Sequence, residues 1–175
     1  GHDITVANFV DARLDFSNAG DLDLTVAAIG LKRGSIETAG GDDDVTLVLH
    51  SNEKTWANTV KVTTHDGNDV VHATAVGLSA LDDALLADNA SPANGPLWNA
   101  SYGGQMSIVE ADLGDGDDTI IASGVALVAK GGAGHDTLVG GNGARGDVLD
   151  GGTGTDSYTG GGGWDQFILR AGEAA

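Results

Sequence analysis

A glycine-rich repeat dominates the C-terminal part of the chain. Its four adjacent copies are GGAGHDTLV at 131–139, GGNGARGDVLD at 140–150, GGTGTDSYT at 151–159 and GGGGWDQFI at 160–168. Three copies match G-G-x-G-x-D-x-U-x, where U is a large apolar residue, and the second copy carries two extra residues before its Asp. One copy is too short to bury an apolar face alone, so the copies are expected to stack on one another.

Weaker copies of the same pattern occur upstream. They are LGDGDDTII at 113–121, THDGNDVVH at 64–72 and AGGDDDVTL at 39–47. One Asp per full circuit of the chain serves as a marker, giving Asp3, Asp23, Asp44, Asp69, Asp118, Asp136 and Asp156. Most steps between markers are close to two nine-residue half-turns, or about 18 residues. The step from Asp69 to Asp118 covers 49 residues and predicts an insertion.

The repeat predicts an all-β fold, a right-handed parallel β-roll or β-helix. Each Gly-rich turn leads into a very short strand, alternate half-turns face opposite sides, and the U side chains stack inside. The U positions of the four C-terminal copies are Leu138, Leu149, Tyr158 and Phe167. Turns on one side then lie over one another, which stacks their Asp carboxylates at the spacing of neighbouring strands.

The charge of the chain points to a metal in these turns. The sequence has 26 acidic and 8 basic residues, a formal net charge of -18, and 22 of the acids are Asp. Asp suits tight turns, whereas a chain that is acidic only for solubility could use Glu equally well. Stacked carboxylates repel one another, and a divalent cation between them turns the repulsion into attraction. Carboxylate and carbonyl oxygens are ligands that Ca²⁺ prefers, so the sequence predicts several bound Ca²⁺ ions.

These repeats resemble the RTX family, the hemolysin-type calcium-binding repeats of bacterial secreted proteins. In that family the repeats form a parallel β-roll, and Ca²⁺ lies between turns, held by turn carbonyls and by the Asp carboxylate. The resemblance implies metal-binding turns at Gly132, Gly134, Asp136, Gly141, Gly143, Asp147, Gly152, Gly154, Asp156, Gly161, Gly163, Asp165, Gly114, Gly116, Asp118, Gly67, Asp69, Gly40 and Asp44.

Three departures from the family pattern affect single turns. The two-residue insertion before Asp147 leaves the placement of that carboxylate open. In the copy at 39–47, Asp42 replaces the third glycine, and in the copy at 64–72, His65 replaces the second. The four C-terminal copies hold complete glycine sets, so they are expected to bind most of the metal.

The resemblance also implies a setting and a role. RTX proteins leave the bacterial cell by type I secretion, and their repeats occur in proteases, lipases, toxins, adhesins and surface-layer proteins. The expectation is a non-catalytic extracellular or cell-surface module that folds when Ca²⁺ binds outside the cell. A start at Gly1 rather than at methionine adds the expectation of neighbouring domains in a longer chain.

The chain is expected to form one domain, residues 1–175, with an insertion. Degenerate rungs occupy 1–78, the insertion 79–105 and the well-formed repeats 106–175. The leucine spacing predicts a short amphipathic helix near the start of the insertion. A loop carrying Trp98 and Tyr102 follows. Two interpretations stay open: the leucines cover the flank of the roll, or the loop recognises an extracellular polysaccharide or a protein partner.

Other function classes find less support. There is no basic stripe for nucleic acid, no apolar run long enough to cross a bilayer, and no cysteine for disulfides or thiolate sites. The five histidines lack the spacing of a zinc site. Acidic pairs such as Asp117 and Asp118 suit a glycosidase, but the repeats already account for most acids, so no catalytic residues are expected.

Overall fold

The chain folds into a parallel β-solenoid. The computed structural model describes residues 1–7, 11–18, 20–29, 32–50, 57–76, 106–142 and 145–170, and the regular elements within these ranges are all strands. The strands are β1 His2–Ala7, β2 Asp11–Asp15, β3 Asp23–Ile29, β4 Arg33–Glu37, β5 Asp44–His50, β6 Ala57–Thr63, β7 Val70–Val76, β8 Met106–Asp115, β9 Thr119–Ser123, β10 Ala126–Gly134, β11 Thr137–Val139, β12 Val148–Gly154, β13 Ser157–Thr159 and β14 Gln166–Ile168.

Odd-numbered and even-numbered strands form separate sheets. Sheet A is seven-stranded in the order β1-β3-β5-β7-β9-β11-β13, and sheet B is seven-stranded in the order β14-β12-β10-β8-β6-β4-β2. The paired strands in both sheets are parallel. One circuit of the chain therefore contributes one strand to each sheet, and this unit is called a rung below. The fold class expected from the repeat is confirmed.

The apolar core lies between the two sheets. Side chains in register across neighbouring rungs form columns, such as Leu24, Val45, Val71, Ile120 and Leu138 in sheet A. All five are fully buried. Alternation along each strand sends the intervening residues to the outer face, as expected for a pleated strand buried on one side.

The two ends of the solenoid depend on different kinds of residue. In β5 of the N-terminal half, three residues enter the core: Val45, Leu47 and Leu49. In the three-residue strand β11 only Leu138 does, because the nine-residue repeat leaves room for one U position. Full burial of one Leu or Val contributes roughly 1.5–3 kcal/mol, so the C-terminal rungs gain much less from the core and depend more on their turns.

The insertion lies between β7 and β8. Although Asp69 and Asp118 are far apart in sequence, they sit on neighbouring rungs, because β7 pairs directly with β9. The predicted helix and the loop with Trp98 and Tyr102 lie outside the described residues. Within the described part of the chain, no helix is long and apolar enough to cross a membrane.

Candidate metal-binding turns

One edge of the solenoid consists of stacked glycine turns that enter sheet A. Gly134 lies here with a φ of 144°, a conformation that favours glycine. A Cβ atom at this position would overlap the carbonyl oxygen of Gly116 on the preceding rung, and one at Gly116 would overlap that of Gly67. The fourth residue of the repeat is therefore glycine for two reasons, the sign of φ and the close approach of the turn beneath it.

An aspartate follows two residues after each of these glycines and reaches the preceding rung. Its Oδ1 accepts a hydrogen bond from the backbone N–H at the same position one rung earlier, over 2.8–3.0 Å. We call this column the inner ladder; its members are Asp43, Asp69, Asp118, Asp136 and Asp156. The predicted stacking of Asp118, Asp136 and Asp156 on one side of the roll is what the structure shows.

The second carboxylate oxygen of the inner ladder is enclosed without a partner. In Asp43, Asp69, Asp118 and Asp136, Oδ2 is buried and finds no hydrogen-bond partner among the described residues. These four side chains are at most 2 % exposed. In Asp136 the oxygen lies against the Cα of Gly131, the first glycine of its repeat, where a Cβ would collide with it. A buried carboxylate oxygen without a donor is costly, and each turn closes around one.

Burial keeps these carboxylates from ionising at their usual pH. Desolvation raises the pKa of Asp118 to about 7 and that of Asp136 to about 6, and the neighbouring ladder carboxylates add to both shifts. Desolvation also raises the pKa of Asp69. The stack therefore resists carrying its full negative charge unless a positive charge enters it.

Four of the eight basic residues form their ion pairs away from the inner ladder, with acids of sheet B or its flank: Arg13, Arg33, Lys130 and Arg170. His135 lowers the pKa of Asp136, but burial outweighs this effect. These four cations thus partly neutralise the charge of sheet B rather than that of the inner ladder.

The opposite edge carries a shorter version of the same arrangement. Asp147 Oδ1 accepts from Leu127 N over 2.7 Å, and Asp147 N donates to Asp165 Oδ1 over 2.9 Å. Gly141 N donates to Asp147 Oδ2, which closes the turn. Burial raises the pKa of Asp147 to about 7. The two-residue insertion before Asp147, which had left its placement open, does not displace it from register with Asp165.

The last carboxylate of the inner ladder, that of Asp156, lies beside the hydroxyl group of Tyr158. Tyr158 stacks on Leu138 in the core column, and its hydroxyl accepts a hydrogen bond from Gly151 N over 3.0 Å. The same hydroxyl donates to Asp156 Oδ2 over 3.5 Å. Asp156 therefore has a protein donor where the four earlier carboxylates have none, which sets its turn apart.

The assignment of the turn at 39–47 needs correction. Asp44 is the exposed first residue of β5 and pairs with Asp23, so it lies outside the inner ladder. Asp43 takes the ladder position, and Gly41, with a φ of 127°, takes the third-glycine position, so the prediction that Asp42 replaces this glycine is wrong, and Gly40 is not the second glycine. The sequence GGDDD fits the motif in two registers, and the burial of Val45 decides between them.

The remaining predicted turn residues fall into three groups. His65 replaces the second glycine as expected and has a φ of 74°, within the left-handed region otherwise occupied by glycine. Gly143 lies outside the described residues. The other predicted glycines with a left-handed φ are Gly67, Gly114, Gly116, Gly132, Gly152, Gly154, Gly161 and Gly163, whereas Gly40 and Gly141 lie outside that region.

The arrangement suits a cation that takes most of its ligands from the main chain. Among the described residues no three His, Asp or Glu side chains converge on one point. The carboxylates instead occur once per rung, beside glycine carbonyls that face the next turn. Hard divalent cations accept such mixed carboxylate and carbonyl oxygens, and the orphaned Oδ2 atoms are suitable donors.

Comparison with known proteins adds no relative. No family matches the chain, and neither the curated proteins nor the solved structures contain a match. The resemblance to hemolysin-type repeats therefore stays a prediction from the sequence.

Proposed function

We propose that this domain is a non-catalytic calcium-binding module that folds and is stabilised when Ca²⁺ enters its glycine-aspartate turns. The observation that carries the proposal is the set of four buried Oδ2 atoms without a donor, one in each of four successive turns. A chain of stacked carboxylates at a strand spacing of about 4.8 Å is unstable when fully charged and becomes attractive when cations lie between its members.

The oxygen-only chemistry of the turns favours Ca²⁺ over other metals. The sequence contains no cysteine, and the inner ladder contains no histidine. Zinc and the later transition metals prefer those softer ligands. Mg²⁺ needs a small, near-ideal octahedral shell and gives up its water reluctantly, so it fits a row of backbone carbonyls poorly. The residues that would hold Ca²⁺ are Asp43, Asp69, Asp118 and Asp136 with the glycine carbonyls of their turns. Three of these four turns lie upstream of the four C-terminal copies, so the proposed sites differ from the expectation that those copies bind most of the metal. Both oxygens of Asp147 already accept backbone N–H groups.

The proposed role is secretion-linked folding in a bacterial extracellular or cell-surface protein. The support is the combination of the sequence resemblance with a solenoid whose C-terminal rungs have little core of their own. Free Ca²⁺ outside the cell would then supply folding free energy that the chain lacks in the cytosol. Recognition of a polysaccharide or protein through Trp98 and Tyr102 stays a hypothesis on residues outside the described ranges.

A single substitution tests the inner ladder as the calcium site. Asp136→Asn keeps an oxygen for Asp118 N but removes the negative charge, so the Ca²⁺ concentration at half-folding is expected to rise about tenfold or more. The loss of a charge-assisted ligand typically costs about 1.5–3 kcal/mol. The matched control is Asp44→Asn, an exposed carboxylate at the end of the turn, which should change the midpoint by less than about 0.5 kcal/mol. Calcium titrations followed by circular dichroism compare the two, and equal midpoints would remove Asp136 from the site.

A further inference from the structure

A second column of side chains runs beside the inner ladder, one residue earlier in each turn. Asp42 Oδ1 accepts from Asn68 N over 2.9 Å, and Asn68 Oδ1 accepts from Asp117 N over 2.9 Å. Asp117 Oδ1 accepts from His135 N over 2.8 Å. His135 Nδ1 lies 3.2 Å from Thr155 N and 3.3 Å from Thr155 O, and the tautomer of the ring sets which of the two it bonds. We call Asp42, Asn68, Asp117 and His135 the outer ladder; all four are exposed.

The two ladders tie the turns in opposite directions. In the outer ladder, Asn68 N donates backward to the side chain of the preceding rung. In the inner ladder, the next residue, Asp69, donates its N–H forward to Asp118 of the following rung. Each turn is thus held from both sides by two consecutive peptide groups, which fixes the gap between neighbouring turns.

The two ladders differ in how many of their side chains are carboxylates. The inner ladder places a carboxylate on every rung. In the outer ladder neutral Asn68 separates Asp42 from Asp117, and His135 follows Asp117. At a rung spacing of about 4.8 Å, two adjacent carboxylates lie well inside the screening length of about 10 Å at 0.1 M salt. Asn68 removes that repulsion from the two gaps on either side of it without any cation.

We propose that the outer ladder is a cation-independent spacer that holds the turns at the separation the inner ladder needs, with Asn68 as the positioning residue between its two carboxylates. Asp21 holds the position of Asp42 one rung earlier, so the neutral residue between carboxylates is specific to Asn68 and is not a rule for the whole repeat. The spacer role rests on the proposed calcium function, whereas the hydrogen-bonded column of the outer ladder does not.

The test compares the same substitution inside and outside the outer ladder. Asn68→Asp keeps the acceptor oxygen and creates a run of four carboxylates with Asp21, Asp42 and Asp117, whereas Asn142→Asp adds the same charge to an exposed residue near the opposite edge. Urea unfolding is followed at the lowest CaCl₂ concentration that saturates folding of the wild type. We expect Asn68→Asp to lower the urea midpoint more than Asn142→Asp at about 0.1 M NaCl. The two variants should converge near 1 M NaCl, where the screening length falls to about 3 Å.

A third variant separates charge from hydrogen bonding. Asn68→Ala removes the acceptor of Asp117 N, so its loss of urea midpoint should be the same at both salt concentrations, and its Ca²⁺ midpoint should rise. Two results overturn the proposal: equal midpoints for Asn68→Asp and Asn142→Asp at low salt, or a loss in Asn68→Asp that salt does not relieve. If the wild type folds without Ca²⁺, the calcium function fails, and the same comparison in metal-free buffer still decides the role of the outer ladder.

Discussion

Removal of Ca²⁺ at pH 8 is expected to abolish most of the β-structure of the domain, and millimolar CaCl₂ is expected to restore it. The reason is the fully charged inner ladder, where four buried carboxylate oxygens have no donor, in a chain of net charge -18. Circular dichroism in EDTA and then in excess CaCl₂ measures the change. MgCl₂ at the same concentration is the control and should restore little of the signal. A β-rich spectrum that chelator leaves unchanged contradicts the calcium-dependent fold.

The loss should begin at the C-terminal end. Rungs with one buried apolar residue per strand, such as Leu138 in β11, have less core to hold them than rungs with three, such as Val45, Leu47 and Leu49 in β5. At intermediate Ca²⁺ concentrations, amide hydrogen exchange should therefore be faster in residues 126–170 than in β3 and β5.

Acid is expected to replace part of the calcium requirement. Burial raises the pKa values of Asp118 and Asp147 to about 7 and that of Asp136 to about 6, against 3.8 in the unfolded chain. A raised folded-state pKa gives stability that is complete below the unfolded value and is lost as the pH rises through the folded value. The loss therefore falls between about pH 4 and 7, at up to about 1.4 kcal/mol per pH unit for each group.

The metal-free domain should accordingly be more folded at pH 5 than at pH 8, and Ca²⁺ should bind more weakly at pH 5 because protons compete for the same oxygens. Circular dichroism in metal-free buffer across this range measures the effect. Asp118→Asn is the matched control, since an amide does not titrate, and it should reduce the pH dependence by the share of one carboxylate, leaving that of Asp136 and Asp147. A metal-free domain that gains structure as the pH rises would show that the buried carboxylates are not what opposes folding.

The fold was predictable because the sequence repeats at a regular interval, and such a repeat is a stronger signal than the strand propensity of single residues. Glycines at fixed offsets, one apolar position per half-turn and an Asp step near 20 residues specify stacked parallel rungs. The long step from Asp69 to Asp118 could be assigned to an insertion for the same reason. The core columns followed in part: Leu138 and Leu149 are fully buried at the predicted U positions, and Tyr158 is partly buried. The prediction fails at Phe167, which lies on the last described rung and is 43 % exposed.

The turn details were harder to predict, because a run of three aspartates fits the motif in more than one register. Asp42, Asp43 and Asp44 have three different roles: outer ladder, inner ladder and exposed strand start. The spacing of Val45, Leu47 and Leu49 indicates the correct register, because every second residue of a half-buried strand points into the core. The outer ladder could be found only by aligning all copies, because its members Asp, Asn and His share an acceptor atom and little else.

The orientation of each carboxylate side chain could not be predicted from the sequence. That Oδ1 reaches the preceding rung while Oδ2 is enclosed depends on how closely two turns approach, as at Asp136 and Gly131. The hydroxyl of Tyr158 beside Asp156 is a similar case, because the U position predicts only an apolar side chain.

The most direct test of the calcium site is anomalous diffraction from crystals grown in CaCl₂. The account predicts anomalous peaks at about 2.3–2.6 Å from carboxylate oxygens of Asp118 and Asp136, the usual distance of a calcium ligand, with glycine carbonyls completing each shell. A well-ordered inner ladder with no peak at either carboxylate, in crystals that hold Ca²⁺ elsewhere or not at all, would contradict it.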